Sequence, residues 1–259
     1  MNFFDTHCHI NFLAFENDWE DVVARSQKNN VNMLVVGTDL KTSLKAIAIA
    51  RKYPNVRVAL GLHPTHLKDR QWQSELAKFK KLIASEKVDA IGEIGFDDFC
   101  LRADEKTKQL KMQEKIVNDF LAIAFKKNKP VIFHARGAIN LLEKKMRENP
   151  SNLKKVGAVV HCFSGDVSFA RWLVRQGFYL GFNGMIIRKN DWDEIIKETL
   201  LENILLETDA PFLTPVKFGK TRNEPIFVRE VAQRIAEIKS LSVEKVANQT
   251  FQNALKFLK

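Results

Sequence analysis

Short apolar runs and longer amphipathic stretches alternate along the chain. The runs are typical of buried strands, and the stretches place apolar residues at the spacing of one helix face. We predict eight strands, at roughly Phe3–Thr6, Asn32–Val36, Arg57–Gly61, Ala90–Glu93, Val131–His134, Ala158–His161, Phe178–Phe182 and Ile204–Thr208. Helices are predicted near Asn17–Asn29, Leu40–Lys52, Gln71–Ser85, Asp104–Lys127, Ala138–Glu148, Val167–Gln176, Trp192–Leu200, Ile226–Lys239 and Ser242–Lys259. Alternation of this kind indicates repeated strand-helix units around a parallel sheet.

The count of strands and helices predicts an α/β fold, a (β/α)8 TIM barrel. A doubly wound open sheet is the alternative, but the chain has no G-x-G-x-x-G or Walker sequence for the phosphate loop of that fold. The length of 259 residues suits one barrel. No Pro/Gly/Ser linker and no internal repeat interrupts the pattern, so we expect residues 1–259 to form one domain.

Residues with metal-ligand chemistry follow the apolar runs, at the C-terminal ends of predicted strands. In a barrel these ends converge on one mouth. Residues two apart in a strand share a face, so His7 and His9 point the same way. Imidazoles with carboxylates suit a divalent transition metal, and their number exceeds what one tetrahedral ion needs. We therefore predict two divalent cations (Mg²⁺, Mn²⁺ or Zn²⁺), held by His7, His9, Glu93, His134, His161 and Asp209.

The expected arrangement divides these ligands between two ions, with His7, His9 and Asp209 on the first, His134 and His161 on the second, and Glu93 between them. A water molecule bridging two such ions has its pKa lowered toward neutrality and becomes a nucleophile. We expect Asp209 to accept the proton of that water as a general base. The aperiodic segment Ala210–Glu224 is expected to cover the mouth of the barrel.

Three further residues are candidates for binding an anionic substrate. Arg136 follows His134 by two positions, Ser164 follows His161 by three, and Arg222 lies in the long loop. Cationic and hydroxyl donors suit phosphate oxygens. The alternatives are structural: the arginines can pair with Asp97 or Glu224 to order loops, and the segment Phe163-Ser164-Gly165 can cap the following helix.

The net charge of +10 and pI near 9.5 favour acidic partners, nucleic acid among them, although lysines grouped on solvated helix faces are the better explanation of the charge. No apolar run approaches the roughly 20 residues that span a bilayer. A cleavable signal is not expected, because its removal would take His7 and His9 with it. Three widely spaced cysteines, Cys8, Cys100 and Cys162, suit free thiols, so we expect a cytoplasmic protein.

Seven segments of the chain, taken in order, resemble the TatD family of metal-dependent hydrolases within the amidohydrolase superfamily. They are Phe4-Asp5-Thr6-His7-Cys8-His9, Gly61-Leu62-His63-Pro64, Ala90-Ile91-Gly92-Glu93-Ile94-Gly95, Pro130-Val131-Ile132-Phe133-His134-Ala135-Arg136, His161-Cys162-Phe163-Ser164-Gly165, Leu205-Leu206-Glu207-Thr208-Asp209-Ala210-Pro211 and Arg222-Asn223-Glu224-Pro225. The resemblance implies a TIM barrel with one or two divalent metals on the six ligands named above. It also implies that His63 contacts substrate or phosphate rather than metal.

The characterised members of that family are commonly deoxyribonucleases, so the resemblance implies phosphodiester hydrolysis with DNA as the substrate. Two alternatives remain: a small-molecule amidohydrolase or phosphoesterase with the same metals, and a basic nucleic-acid-binding protein with a degenerate site. The complete ligand set argues against the second alternative. The sequence shows no helix-turn-helix, no zinc finger and no aromatic-rich platform for a single strand. We expect no obligate protein partner and no membrane association.

Overall fold

One parallel sheet forms the centre of the molecule. The computed structural model describes residues 1–67, 72–99, 101–219 and 221–259. Eight strands in these residues lie in the order of the chain, and each pairs in parallel with the next. They are β1 (Phe3–Cys8), β2 (Val31–Gly37), β3 (Val56–Leu60), β4 (Ala90–Asp97), β5 (Val131–Arg136), β6 (Ala158–Val160), β7 (Tyr179–Phe182) and β8 (Ile204–Leu206). The predicted (β/α)8 TIM barrel is confirmed.

Helices follow the strands and surround the sheet. In the described residues they are α1 (Trp19–Lys28), α2 (Leu40–Lys52), α3 (Trp72–Ser85), α4 (Ala103–Lys127), α5 (Ile139–Glu148), α6 (Pro150–Val156), α7 (Val167–Gln176), α8 (Met185–Arg188), α9 (Asp193–Glu198), α10 (Val228–Lys239) and α11 (Val243–Phe257). Short 3-10 turns occur at Leu13–Phe15, Pro64–His66, Leu201–Asn203, Val216–Phe218 and Pro225–Phe227. In this part of the chain, no helix has both the length and the apolar composition needed to cross a membrane.

Every predicted helix overlaps an observed one, and Gln71, at the predicted start of α3, lies outside the described residues. The sequence pattern missed α6 and α8. Both are short, with seven and four residues, so neither shows two turns of amphipathic spacing. Local sequence accounts for the start of α2, where Asp39 and Thr42 form a reciprocal capping box.

The N-terminal end of the barrel interior is filled. One side chain from each strand meets in a single apolar cluster, which α11 covers with Ala254 and Phe257: Phe4, Leu34, Ala59, Ala90, Ile132, Val159, Tyr179 and Leu205. The rings of Tyr179 and Phe257 lie 5.6 Å apart. Because this end is packed shut, the opposite end is the one that can admit a ligand.

Hydrogen bonds across the seam join β1 to the segment that follows β8. The Asp209 N–H donates to the His7 carbonyl oxygen at 2.8 Å, and the His9 N–H donates to the Ala210 carbonyl oxygen at 2.7 Å. The buried Asp5 carboxylate accepts the Thr208 N–H at 2.9 Å. These bonds close the barrel and bring Asp209 beside the two histidines of β1.

Candidate metal centre

A bulge in β1 turns His7 and His9 toward the barrel interior. Phe4 lies inside the barrel, so strict alternation from Phe4 would point His7 outward. The pairing with β2 shifts between Asp5 and Cys8, where β1 has one residue more than β2. One extra residue reverses the alternation beyond it, which places both histidines inside.

A second bulge, in β4, turns Glu93 toward the barrel interior. Ala90 lies in the interior cluster, and the pairing with β5 shifts between Ile91 and Ile94, where β4 again carries one extra residue. Glu93 falls within this shift and points inward. The bulge requires glycine at position 92, because its φ is +146° and a Cβ there would lie 2.5 Å from the Ile132 carbonyl oxygen.

The Glu93 carboxylate lies between two pairs of imidazoles. Its Oε2 is 3.3 Å from His7 Nε2 and 3.9 Å from His9 Nε2. Its Oε1 is 2.7 Å from His134 Nδ1 and 3.0 Å from His161 Nε2. Each oxygen therefore faces one pair of imidazoles.

Asp209 completes the group on the side of β1. Its Oδ1 is 3.4 Å from His9 Nε2 and 3.9 Å from His7 Nε2. The residue has a left-handed backbone with φ of 58°, a conformation that is costly for a non-glycine residue and recurs at functional sites. The Asp209 side chain is 16% exposed, against 3% for Glu93, so Asp209 is the carboxylate that a substrate can reach.

Carboxylate or carbonyl oxygens lie against the outer nitrogens of three histidines. His9 Nδ1 lies 3.0 Å from the Val36 carbonyl oxygen, and His134 Nε2 lies 3.0 Å from Asp97 Oδ2. Glu207 Oε1 is 3.3 Å from His161 Nδ1, an ion-pair contact without hydrogen-bond alignment. Such contacts orient metal-ligating imidazoles and raise their basicity. Asp97 and Glu207 were not predicted in this role, although both follow apolar strand runs as the predicted ligands do.

Burial and ion pairing set the protonation of the cluster. Burial tends to raise the pKa of Glu93, but the surrounding histidines, His161 foremost, outweigh it and hold that pKa well below its ordinary value. Burial tends to lower the pKa of His161, but Glu93 and Glu207 raise it well above the ordinary value. Burial opposes ionisation of Asp209 too, and His9 and His161 still keep its pKa low. Asp209 is therefore a carboxylate at neutral pH.

The donor set fits divalent cations. Donor atoms of His7, His9 and Glu93 all lie within 4.8 Å of one another, as do those of His134, His161 and Glu93. Asp209 forms a third such group with His7 and His161. The facing Nε2 atoms of His7 and His9 are 3.2 Å apart, so two nitrogens and a carboxylate converge as a cation requires. Mixed imidazole and carboxylate donors suit Zn²⁺ and other divalent transition ions.

The chain from residue 4 to residue 259 matches the family model described as TatD related DNase. This chain belongs to the TatD family. It is 37% identical over 254 residues to an uncharacterized metal-dependent hydrolase, YabD, of Bacillus subtilis, covering 97% of this chain and 96% of that protein. It is 32% identical over 269 residues to human deoxyribonuclease TATDN3, covering 97% and 93% of the two chains.

Solved structures agree with the family membership. The crystal structure of YJJV, a TatD homolog from Escherichia coli K12, aligns with 99% of this chain and 97% of its own, with a TM-score of 0.86 and 28% identity. The predicted family and the metal-dependent hydrolase class are therefore confirmed.

His63 lies beside the candidate metal ligands in this TatD family member. Its Nε2 is 3.5 Å from Glu93 Oε1, and its ring centroid is 4.3 Å from that of His134. His63 Nδ1 is 2.6 Å from Thr65 Oγ1. Donor atoms of His63, Asp97 and His134 also lie within 4.8 Å of one another. The structure thus brings His63 to the site, and its contact with substrate stays a prediction.

The other three predicted substrate residues have different surroundings. The exposed Arg136 guanidinium lies 3.8 Å from the Phe99 ring centroid, rather than on Asp97. Ser164 is exposed, and α7 is capped by Asp166, whose Oδ1 accepts the Phe169 N–H at 2.8 Å, so the proposed cap at residues 163–165 was wrong.

Arg222 pairs with Glu224, which is the structural role that we gave as the alternative to substrate binding. It lies 3.1 Å from Glu224 Oε1, and it also donates two bonds of 2.8 and 2.6 Å to the oxygens of Asp18. A phosphate would have to compete with both carboxylates for this guanidinium. Substrate binding by Arg222 therefore stays a prediction, with a loop contact as the observed role.

Proposed function

We propose that this TatD family member is a deoxyribonuclease that hydrolyses phosphodiester bonds with the help of two divalent cations. The observation that carries the proposal is the position of Glu93, whose oxygens face two separate pairs of histidines. The TatD related DNase model, the name of the human relative and the +10 charge support a DNA substrate.

In this proposal His7, His9 and Asp209 would hold one cation and His134 and His161 would hold the other, with one Glu93 oxygen available to each. Bound divalent cations supply Lewis acidity, which neutralises phosphate charge and makes water a nucleophile at neutral pH. The protein residues fix the positions of the donor atoms, and Glu93 is buried away from bulk water. We further propose that His63 donates to a non-bridging phosphate oxygen, which its closeness to Glu93 and its 13% exposure support.

Asp209 is proposed as the general base. Its depressed pKa leaves it ionised, and its partial exposure lets it meet the attacking water on the open side of the site. The proton moves from that water to a carboxylate oxygen of Asp209 as the new phosphorus–oxygen bond forms. The bond from phosphorus to the leaving nucleoside oxygen breaks in the same displacement, and that oxygen takes up a proton from solvent. Ligand and base roles coexist on this residue, so they have to be separated experimentally.

Asp209→Asn makes that separation, because Asn keeps the size and one oxygen but cannot accept a proton at neutral pH. We expect kcat on single-stranded DNA to stay about 10²–10⁴-fold low at saturating metal. His9→Ala is the control, and we expect excess metal to restore much of its activity. Near wild-type kcat for Asp209→Asn at saturating metal would refute the base role.

The substrate class is tested on the wild-type protein with matched single-stranded DNA, RNA and a panel of small phosphoesters, amides and lactones. Preference for DNA supports the proposal. Turnover of small esters or amides without DNA cleavage would overturn it in favour of a small-molecule hydrolase. We also propose that residues 1–259 act as one hydrolase domain in the cytoplasm, where the free thiols of Cys8 and Cys162 are stable; Cys100 lies outside the described residues.

A further inference from the structure

Two phenylalanines adjoin the candidate metal centre between the ends of β1 and β8. The Phe12 ring stacks on the ring of His9, with centroids 4.4 Å apart and planes inclined by 17°. The Phe212 ring meets both edge-on, 6.3 Å from Phe12 and 6.5 Å from His9. Phe212 is 52% exposed. We call Phe12 and Phe212 the aromatic lip.

The backbone that carries Phe212 is held in place. The side chain of Asn223 is fully buried, and its Nδ2 donates to the carbonyl oxygens of Phe212 at 2.5 Å and Thr208 at 2.8 Å. The next residue, Leu213, has a left-handed φ of 56°. A residue with a β-carbon is strained in that region and persists there only where the surroundings enforce it. An exposed ring is thus mounted on a rigid support.

Arg222 connects the loop that carries Phe212 to the loop that carries Phe12. Its guanidinium donates to the Ala14 carbonyl oxygen at 2.6 Å and to both oxygens of Asp18, and it lies 4.0 Å from the Phe15 ring centroid. Both halves of the aromatic lip are therefore fixed relative to His9. Preorganised aromatic surface binds a ligand without the entropy cost of ordering it.

We propose that the aromatic lip stacks the base of the nucleotide next to the attacked phosphate, so that the site takes an unpaired nucleotide. This inference rests on the proposed function. A nucleotide carries its base one sugar away from its phosphate. The aromatic lip lies at a similar short distance from the candidate metal centre, because Phe12 stacks directly on the candidate ligand His9. Every base has a π-face, so such stacking tolerates all sequences. In a duplex the base is paired and stacked on its neighbours, so it could not reach the aromatic lip.

The test compares two fluorescently labelled single-stranded hexamers with phosphorothioate linkages, which keep the charge and slow hydrolysis. One carries normal bases, and the other has a tetrahydrofuran residue in place of every nucleoside. Fluorescence anisotropy with the wild-type holoenzyme gives a Kd for each strand. We expect the base-bearing strand to bind about tenfold more tightly, within the range of base–aromatic stacking. Phe212→Ala should remove most of that difference and leave the Kd of the abasic strand unchanged.

Leu200→Ala is the matched control, because Leu200 is 57% exposed but precedes β8, at the opposite end of the barrel. We expect it to leave both Kd values unchanged. Phe212→Trp should keep the tighter binding, and the fluorescence it adds over wild type should be quenched by the base-bearing strand alone. Equal wild-type affinity for the two strands, or an unchanged difference in Phe212→Ala, would overturn the stacking role. Because these are binding measurements, they give an answer whether or not the protein cleaves DNA.

Discussion

The Asp97 carboxylate holds the outer nitrogen of His134, with Oδ2 3.0 Å from Nε2. A carboxylate can only accept, so it fixes the hydrogen on Nε2 and turns the Nδ1 lone pair toward Glu93. We expect Asp97→Asn to weaken metal affinity about 10–100-fold, because the amide no longer enforces this tautomer. Competition with a chelating dye measures the affinity without reference to turnover.

The neighbouring Asp98 provides the control for Asp97. It pairs with Lys106 at 2.7 Å instead of with a histidine, so Asp98→Asn should leave the metal affinity unchanged. Equal affinity of wild type and Asp97→Asn would show that His134 is oriented without this contact.

Glu93→Gln is expected to reduce the number of bound cations. Gln retains one carbonyl oxygen and no charge, so it can face one pair of histidines but cannot bridge two ions. We expect wild type to bind up to two ions and Glu93→Gln at most one, as counted by native mass spectrometry with elemental analysis. Glu207→Gln controls for the loss of a buried charge, since Glu207 is equally buried but faces the outer nitrogen of His161. We expect it to weaken metal affinity but still to bind up to two ions at saturating metal. Two tightly held ions in Glu93→Gln would contradict the bridging assignment.

Metal binding should weaken as pH falls. Burial opposes protonation of His134 and His161, but Glu93 raises the pKa of both above the ordinary value. Both imidazoles must lose a proton to bind metal. As the pH is lowered, metal affinity should therefore begin to fall while the pH is still above about 6.5, the unperturbed pKa of histidine. Calorimetry in buffers of different ionisation enthalpy counts the released protons, and we expect at least one near neutrality.

The metal-free protein should respond to pH with the opposite sign. A histidine pKa raised by folding contributes stability that is fully present below the unfolded pKa and is lost as pH rises through the folded pKa. The increase in Tm on adding metal should therefore be smaller at about pH 5.5 than at about pH 8. An equal increase at both pH values would contradict the proton release.

Arg222→Ala distinguishes the loop contact from a phosphate contact. If Arg222 serves to connect the two loops, its loss should make the loops near residues 12–18 and 212–219 more susceptible to limited proteolysis. The free energy of unfolding should fall by only about 1 kcal/mol, because the ion pairs are partly exposed. The slope of log Kd against log salt for DNA should stay unchanged.

If Arg222 contacts phosphate instead, that slope should become shallower by about one. Arg25→Ala is the matched control, since Arg25 also pairs with Glu224, at 3.0 Å, and lies 3.9 Å from Asp18. A shallower slope without faster proteolysis in Arg222→Ala would return this residue to the substrate site.

The sequence by itself determined the barrel and the neighbourhood of the site. Apolar runs of strand length alternating with helical periodicity leave few folds that bury both, and the ends of parallel strands must then meet. Chemical type and position at a strand end were therefore enough to gather His134, His161 and Asp209. Local pattern could not predict α6 and α8, because segments that short have no period to detect.

Only the tertiary structure decided which way the candidate ligands of β1 and β4 face. Strict alternation from Phe4 and Ala90 would have turned His7 and Glu93 away from the interior, and one extra residue in each strand reverses this. A bulge depends on pairing with the neighbouring strand, which no local window contains. The pairing of Arg222 with Asp18 and the aromatic lip are decided in the same way. Each joins residues about 200 positions apart, which meet because the barrel closes β1 against β8.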